Sequence, residues 1–201
     1  MIGLAGKHPG ILSGFPQQAE PGGRAGTLIL LDEIEAQTDG TATIDFTKGI
    51  TEEYDEYLFK LFGVHSVGGD LLMRVSTNGG QSFDTGANYL RAFEQYHGNN
   101  TTTTVSGAGT SMTIIEGLTT SAGRFAHAQV WMLRPWQLGD STKMFHGHAQ
   151  VRGTDTLLVG NARFAHSYVG TSPFPRINGA RFLMSTNDFN GGVFRLYGVA
   201  K

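Results

Sequence analysis

From residue 27 to the C terminus, apolar and polar positions alternate in short runs that turn residues separate. The run TATIDF at 41–46 sets Ala42, Ile44 and Phe46 against polar neighbours, which is the pattern of a half-buried strand. Comparable runs lie at 27–36, 54–64, 70–76, 88–96, 124–133, 143–151, 155–169, 176–185 and 192–199. No long amphipathic helix interrupts them, so the pattern predicts about nine or ten antiparallel strands in an all-β sandwich or barrel.

The segments between these runs predict specific connections. Thr38, Asp39 and Gly40 supply turn chemistry for a hairpin between the first two strands, and DFNGG at 188–192 predicts a turn before the last strand. Residues 97–113 carry no formal charge and few apolar groups, which predicts a long polar loop. Residues 1–26 contain three of the six prolines and no strand or helix period. We therefore expect an extended or flexible N-terminal arm at 1–26 and a β-sandwich domain at 27–201.

Composition and charge narrow the functional classes. Charged residues make up 16% of the 201 residues and there are 29 glycines, which suits strands joined by tight turns. A net charge of −2 without a basic run argues against electrostatic binding of nucleic acid. No apolar stretch approaches the length of a membrane span, and the N terminus makes a poor signal peptide. The absence of cysteine excludes disulfides, thiol catalysis and thiolate metal ligands.

The best-defined local motif is STNGGQSF at 76–83, which resembles the Asp-box of sialidase propellers with Asn78 in place of the aspartate. The short Asn78 side chain can bond turn amides, and Gly80 can adopt a positive φ. Phe83 is expected to pack under a hairpin whose return strand starts at 81–83. The motif occurs once in a chain too short for a propeller, so we expect a structural turn.

His146 and His148 form a candidate metal site in a predicted strand. The period of two places both imidazoles on one face, and neutral imidazole is a common metal ligand. One chain supplies two ligands, fewer than the four usual for zinc, so this interpretation needs a trimer with both residues on its threefold axis. The alternative is a pair of ordinary half-exposed histidines. No other cofactor is expected.

Trp131, Trp136 and Tyr168 form a candidate platform for a glycan, because aromatic faces stack on sugar rings. The alternative is core packing, since a sandwich of this size needs large side chains inside. No nucleophile elbow, phosphate loop or zinc-protease motif is present, so catalysis is not expected. A glycosidase pair remains an open alternative, because carboxylates from different strands could face one another across a cleft. These are Glu94, Glu116, Asp140 and Asp155.

Two parts of the chain, 41–96 and 176–200, resemble a family of phage-encoded β-sandwich proteins found among decoration, head-fibre and tail-fibre components. The first part carries a Tyr-rich strand, the turn motif at 76–83 and the segment NYLRA at 88–92. The second carries F-x-x-S-x-x-x-F-x-x-G-x-x-R-L-Y-G, at Phe182, Ser185, Phe189, Gly192, Arg195, Leu196, Tyr197 and Gly198. The resemblance implies a jelly-roll-like antiparallel sandwich, a homotrimer and no catalysis. The last strand is expected to turn Phe194 and Leu196 inward and to leave Arg195 for a neighbour.

The expected function is that of a non-catalytic structural protein on the virion surface, made in the host cytoplasm. The first candidate role is capsid decoration or head fibre, with the arm at 1–26 anchoring the protein to other virion proteins. The alternatives are a tail-fibre protein that recognises host surface glycans and a soluble carbohydrate-binding module. Nucleic acid and membrane are not expected as partners.

Overall fold

The structure is a computed structural model that describes residues 25–38, 40–97, 100–118, 125–139, 142–152, 159–170 and 175–201. The arm predicted at 1–26 lies outside these residues, apart from its last two positions. Those two adjoin the C terminus, because the Gly26 amide donates to the Ala200 carbonyl at 2.8 Å. Among the described residues, no helix is long and apolar enough to cross a membrane.

The described chain forms twelve strands. The first six are β1 (Leu28–Glu35), β2 (Thr43–Phe46), β3 (Glu56–Ser66), β4 (Leu71–Ser76), β5 (Tyr89–His97) and β6 (Asn100–Gly109). The others are β7 (Met112–Ile115), β8 (Phe125–Leu133), β9 (Lys143–Arg152), β10 (Val159–Tyr168), β11 (Gly179–Met184) and β12 (Phe189–Val199). Most of these strands were predicted from the alternation of apolar residues, and β6 and β7 were not.

The strands make two antiparallel sheets. The larger has eight strands in the order β1-β12-β3-β8-β9-β10-β5-β6, and the smaller has four in the order β2-β11-β4-β7. The chain passes repeatedly between the sheets, so residues distant in sequence become neighbours. This arrangement confirms the predicted all-β antiparallel sandwich. Its two sheets are unequal, with eight strands in one and four in the other.

The core lies between the sheets and is rich in aromatic rings. Phe59 of β3 lies 5.4 Å from Phe46 of β2 and 5.4 Å from Phe182 of β11, measured between ring centroids. Phe194 of β12 lies 5.7 Å from Phe182. All four are fully buried, and tilted or edge-on rings at these spacings stabilise the core beyond the burial of their apolar area.

The last strand agrees with its predicted orientation. Phe194 and Leu196 are fully buried, whereas Arg195 faces outward and donates to the Glu33 carboxylate of β1. β12 lies between β1 and β3 in the large sheet, so the C-terminal segment is an interior strand.

The hairpin predicted around residues 38–40 is wrong. β1 pairs with β12 in the large sheet, and β2 pairs with β11 in the small sheet. The chain crosses from one sheet to the other at this point. Turn residues mark where a strand ends, but they do not determine which strand becomes its partner.

Two further expectations about loops are also wrong. Residues 100–109 form β6, which pairs with β5, in place of the long polar loop predicted at 97–113. The run of threonines explains the difference, because β-branched side chains favour strands whatever their polarity. Four of the five residues of the turn predicted at 188–192 belong to β12, which begins at Phe189, and register shifts between Phe189 and Val193 accommodate the glycines.

The motif at 76–83 is the structural turn that the sequence predicts, without a return strand at 81–83. Asn78 Oδ1 accepts hydrogen bonds from Ser76 Oγ at 2.8 Å and from the Ser82 amide at 3.0 Å. Gly80 has a φ of 84°, and Phe83 is buried beneath the Arg181 guanidinium, 4.1 Å from its ring centroid.

Candidate functional site

The outer face of the large sheet, defined as the side away from the small sheet, carries the candidate site. Strand alternation sends every second side chain of β8, β9 and β10 into the core and the others to this face. His146 and His148 of β9 are exposed here, as is Arg163 of β10. Trp131 of β8 is half-buried on the same face.

Strand register brings these side chains together. Trp131 is the cross-strand partner of His146, and His148 is the partner of Arg163. Directly opposite side chains on one face of antiparallel strands lie within about 5.5 Å at their Cβ atoms. Four residues on three strands therefore form one cluster, although 32 positions separate the first from the last in the sequence.

This cluster lines an open groove of about 630 Å³, here called the main groove. Its lining residues are Tyr96, Trp131, His146, Gly147, His148, Ala149, Gln150, Asn161, Ala162, Arg163 and Phe164. The groove runs across β8, β9, β10 and β5, which are consecutive neighbours in the large sheet. It therefore depends on three strand pairings and on no single loop.

Aromatic rings lie on both sides of the main groove. The Trp131 and His146 rings are almost parallel, at 12° to one another with centroids 6.3 Å apart, so they form a stacked pair. Tyr96 of β5 lies on the other side with 40% of its surface exposed. Leu58 of β3 is the cross-strand partner of Trp131 and is 1% exposed, so it gives the indole a packed apolar neighbour.

A smaller groove of about 120 Å³ adjoins the main groove and shares His148 and Gln150 with it. It is lined by Lys60, Leu61, Phe62, His127, Ala128, Gln129, His148 and Gln150. The Lys60 ammonium lies 5.4 Å from the Tyr197 ring centroid, which holds this charge on the outer face. The two grooves together reach from β3 to β5.

Charge is distributed unevenly along the grooves. Lys60 and Arg163 line them, and no Asp or Glu is among the lining residues that the structure describes. The nearest carboxylate in register is Glu94, the β5 partner of Arg163. A hydrogen bond with Glu94 raises the pKa of the Tyr96 phenol. This carboxylate is therefore hydrogen-bonded to the tyrosine that lines the β5 side of the main groove.

The floor of the main groove depends on the glycine between the two histidines. A Cβ on Gly147 would lie 2.0 Å from the Gln129 carbonyl oxygen and 2.5 Å from Phe164 Cζ. The absence of a side chain lets Phe164 pack beneath β9. The imidazoles of His146 and His148 therefore point outward. The position between them points inward and has no side chain, so the Phe164 ring occupies that space.

Below this floor, a buried imidazole joins the two sheets. His166 Nε2 lies 2.7 Å from the Thr113 carbonyl oxygen of β7, and the ring stacks on Phe164 at an interplanar angle of 8°. Burial lowers the pKa of His166 to about 4, the Thr113 contact opposes this shift, and the Arg91 charge adds to it. His166 is therefore neutral near pH 7 and donates its Nε2 proton to the carbonyl.

No protein family matches the chain, and no curated protein and no solved structure is significantly similar to it. The functional proposal therefore rests on the two grooves and on the side chains that line them.

The structure does not bring Trp131, Trp136 and Tyr168 together as one platform. Trp131 lies in the main groove. Trp136 follows β8, donates its indole N–H to the Tyr54 carbonyl at 2.9 Å and lies under the Lys201 ammonium. Tyr168 faces the core, is 5% exposed and donates its hydroxyl to Asp84 at 2.7 Å.

His146 and His148 share the outer face, as the period of two predicts. They lie in the main groove beside Trp131 and Arg163. Among the described residues, no group of three or more His, Cys, Asp or Glu side chains is placed to hold a metal ion. The axial trimer site stays a prediction, and the structure gives both imidazoles another role as part of the groove lining.

Three lining residues were not predicted from the sequence: Tyr96, Asn161 and Arg163. Alternation in ARFAH at 162–166 does indicate that Arg163 and Ala162 point to opposite faces. The missing information was the pairing of β10 with both β9 and β5, which places these residues beside the histidines.

Proposed function

We propose that this chain is a non-catalytic binding protein whose main groove recognises a glycan. The observation that carries the proposal is the stacked Trp131–His146 pair in an open groove that Tyr96 of β5 also lines. The C–H faces of sugar rings are weakly positive, and aromatic faces are weakly negative, so the two attract as they exclude water. The amides of Gln150 and Asn161 line the same groove and match the hydroxyl groups of a sugar.

The absence of carboxylates from the groove lining supports binding without hydrolysis. Glycoside hydrolysis ordinarily uses two carboxyl groups about 5–10 Å apart on either side of the scissile bond. Among the described residues, no Asp or Glu lines either groove. Of the carboxylates considered for catalysis, Asp140 and Asp155 lie outside the described residues.

Display on a phage particle is the setting that we propose for this binding protein. Its support is the resemblance of 41–96 and 176–200 to virion surface proteins, together with the low content of charged residues. Quantitative mass spectrometry of purified particles tests this setting. A copy number close to that of the capsid protein supports decoration, and a few copies support a fibre. Absence from particles would reject the virion setting and leave a soluble carbohydrate-binding module.

The glycan proposal is tested by a matched pair of tryptophan variants. Binding to immobilised neutral and acidic polysaccharides is measured for wild type, Trp131→Ala and Trp136→Ala. Trp131→Ala removes the indole and should weaken binding about 5- to 150-fold, because loss of one stacked ring costs on the order of 1–3 kcal/mol. Trp136→Ala removes an indole outside both grooves and should bind as wild type does.

Thermal unfolding of each variant separates binding from folding. We expect both variants to retain a cooperative transition, with Trp136→Ala losing the hydrogen bond to Tyr54. Equal binding by folded wild type and folded Trp131→Ala would reject the groove as the glycan site. No binding of wild type to any polysaccharide in the panel would reject glycan recognition itself.

A further inference from the structure

We propose that the ligand of the main groove is an acidic glycan, whose carboxylate or sulfate group is bound by Arg163. This inference rests on the proposed glycan function and names the class of sugar. It follows from three features of the grooves: the unbalanced positive charge, the availability of one guanidinium and the position of the nearest carboxylate.

The charge of the grooves differs from that of the whole chain. The chain has 15 Lys and Arg residues against 17 Asp and Glu residues, so an average surface patch carries both signs. In the described part of the chain, the lining of the two grooves contains Lys60, Arg163 and three imidazoles, at His127, His146 and His148, and no carboxylate. A groove with one sign of charge attracts ligands of the opposite sign and raises their rate of association.

Arg163 has the geometry to bind an anionic group. It is exposed, and it forms no salt bridge with any residue that the structure describes. By contrast, Arg181 is bound in a fork by Asp45, at 2.7 Å and 2.6 Å, and Arg195 is bound by Glu33. A planar guanidinium donates two parallel hydrogen bonds to a carboxylate or sulfate, which gives orientation as well as affinity.

Glu94 sets a limit on where the anion binds. It is opposite Arg163 on β5, and its carboxylate would repel an anion on that side. On the side of Arg163 toward His148 and Gln150, the residues that the structure describes include no carboxylate in the groove lining. An anionic sugar should therefore place its charged group between β9 and β10, with its ring toward Trp131.

The length of the combined grooves indicates a polymer. They cross five strands, β3, β8, β9, β10 and β5, and neighbouring strands lie about 4.8 Å apart, which gives a track of about 20 Å. Lys60 and Arg163 lie at different points of this track. Two separated cations suit a polymer that repeats its negative charge.

The experiment compares acidic polysaccharides with their neutral counterparts. The probes are polygalacturonate with its carboxyl-reduced form, alginate, hyaluronate, dextran sulfate with dextran, and chondroitin sulfate with its desulfated form. Wild-type protein should bind at least one acidic probe, with an affinity at least tenfold above that for the neutral form. The binding should weaken as salt is raised, because exposed charges are screened over about 10 Å at 0.1 M.

Variants then assign the anion to Arg163. Arg163→Gln should raise the dissociation constant about tenfold, as loss of one charge-assisted hydrogen bond predicts, and Arg163→Lys should recover part of the loss. Glu94→Gln should tighten binding, because it removes a negative charge beside the site. Arg176→Gln is the matched control. Arg176 pairs with Glu52 at 3.6 Å and lines neither groove, so binding should not change.

The outcomes separate this inference from the proposed function. Binding of neutral probes that depends on Trp131 but not on Arg163 would overturn the acidic-glycan inference and keep glycan recognition. Equal loss in Arg163→Gln and Arg176→Gln would indicate nonspecific charge attraction and overturn the inference. Binding of single-stranded oligothymidylate without binding of any polysaccharide would overturn both. Binding of carboxylated probes alone, or of sulfated probes alone, supports the inference and identifies the anion.

Discussion

At the residue scale, His166 is the side chain whose chemistry depends most on burial. It is 3% exposed and lies between the sheets, where its Nε2 bonds the Thr113 carbonyl oxygen. Its Nδ1 is buried and has no hydrogen-bond partner among the described residues. Protonation of Nδ1 would place an unpaired charge in the core, near the positive Arg91.

This environment predicts a loss of stability in mild acid. The unfolded imidazole gains its proton near pH 6.5 and the folded one near pH 4, so the neutral form is favoured by folding. The contribution is fully present above pH 6.5 and is lost as pH falls from 6.5 toward 4. The slope is about 1.4 kcal/mol per pH unit, or about 3 kcal/mol over the whole range.

Denaturant unfolding of wild type and His166→Gln between pH 7.5 and pH 4 measures this contribution. Glutamine can donate to the Thr113 carbonyl but does not titrate. The stability difference between the two proteins should therefore shrink as pH falls. The contributions of the carboxylates to the pH dependence are common to both proteins and cancel in this difference. Parallel pH profiles would contradict the assignment of a neutral buried imidazole.

At the scale of elements, the turn at 76–83 fixes how the chain leaves β4. The Gly79 amide donates to Asn178 Oδ1 at 2.7 Å, which ties this turn to the segment before β11. Gly79 and Gly80 both have positive φ, but they differ in their surroundings. A Cβ on Gly79 would meet nothing within 4 Å, whereas one on Gly80 would lie 2.2 Å from Thr47 Cγ2.

The two glycines therefore give a matched pair of variants. Gly79→Ala adds only the strain of a left-handed backbone and should cost about 1 kcal/mol of the free energy of unfolding. Gly80→Ala adds the same strain and a clash with Thr47, and should cost about 3 kcal/mol. Equilibrium denaturation of both variants measures the difference. Equal costs would mean that Thr47 does not pack against this turn.

Strands were predictable from the sequence where the local alternation of apolar and polar residues determines them. The alternation in FAHAQVWML and KMFHGHAQV indicates both the strands β8 and β9 and the faces of Trp131, His146 and His148. Polarity was misleading at β6, where threonine side chains suit a strand as well as a loop. Partners were not predictable, because β1 pairs with β12 at the other end of the chain.

The same limit applies to the candidate site. The sequence pointed to Trp131 and to the two histidines as separate features with separate functions. Tyr168 was grouped with the tryptophans because it is aromatic, although its place at the end of β10 turns it inward to Asp84. The groove arises from the order of β8, β9, β10 and β5, which is set by the packing of the whole sandwich.

At the scale of the whole molecule, the two sheets have different functions in this account. The small sheet covers one face of the large sheet and buries the aromatic core. The other face of the large sheet carries the two grooves, the cations of Lys60 and Arg163, and the stacked rings of Trp131 and His146. A trimer, if formed, must leave this face accessible for the proposed binding.

The central claim is that ligand binds on this outer face, and the two tryptophans report on it directly. The chain contains Trp131 and Trp136 and no other tryptophan, so its ¹H–¹⁵N NMR spectrum has two indole signals. The labelled protein is titrated with oligosaccharides made from the polysaccharide that binds best. We predict that the Trp131 indole signal and the backbone amides of β8, β9 and β10 shift, while the Trp136 signal stays in place. Shifts at Trp136 or on the small sheet, with Trp131 unchanged, would contradict the claim.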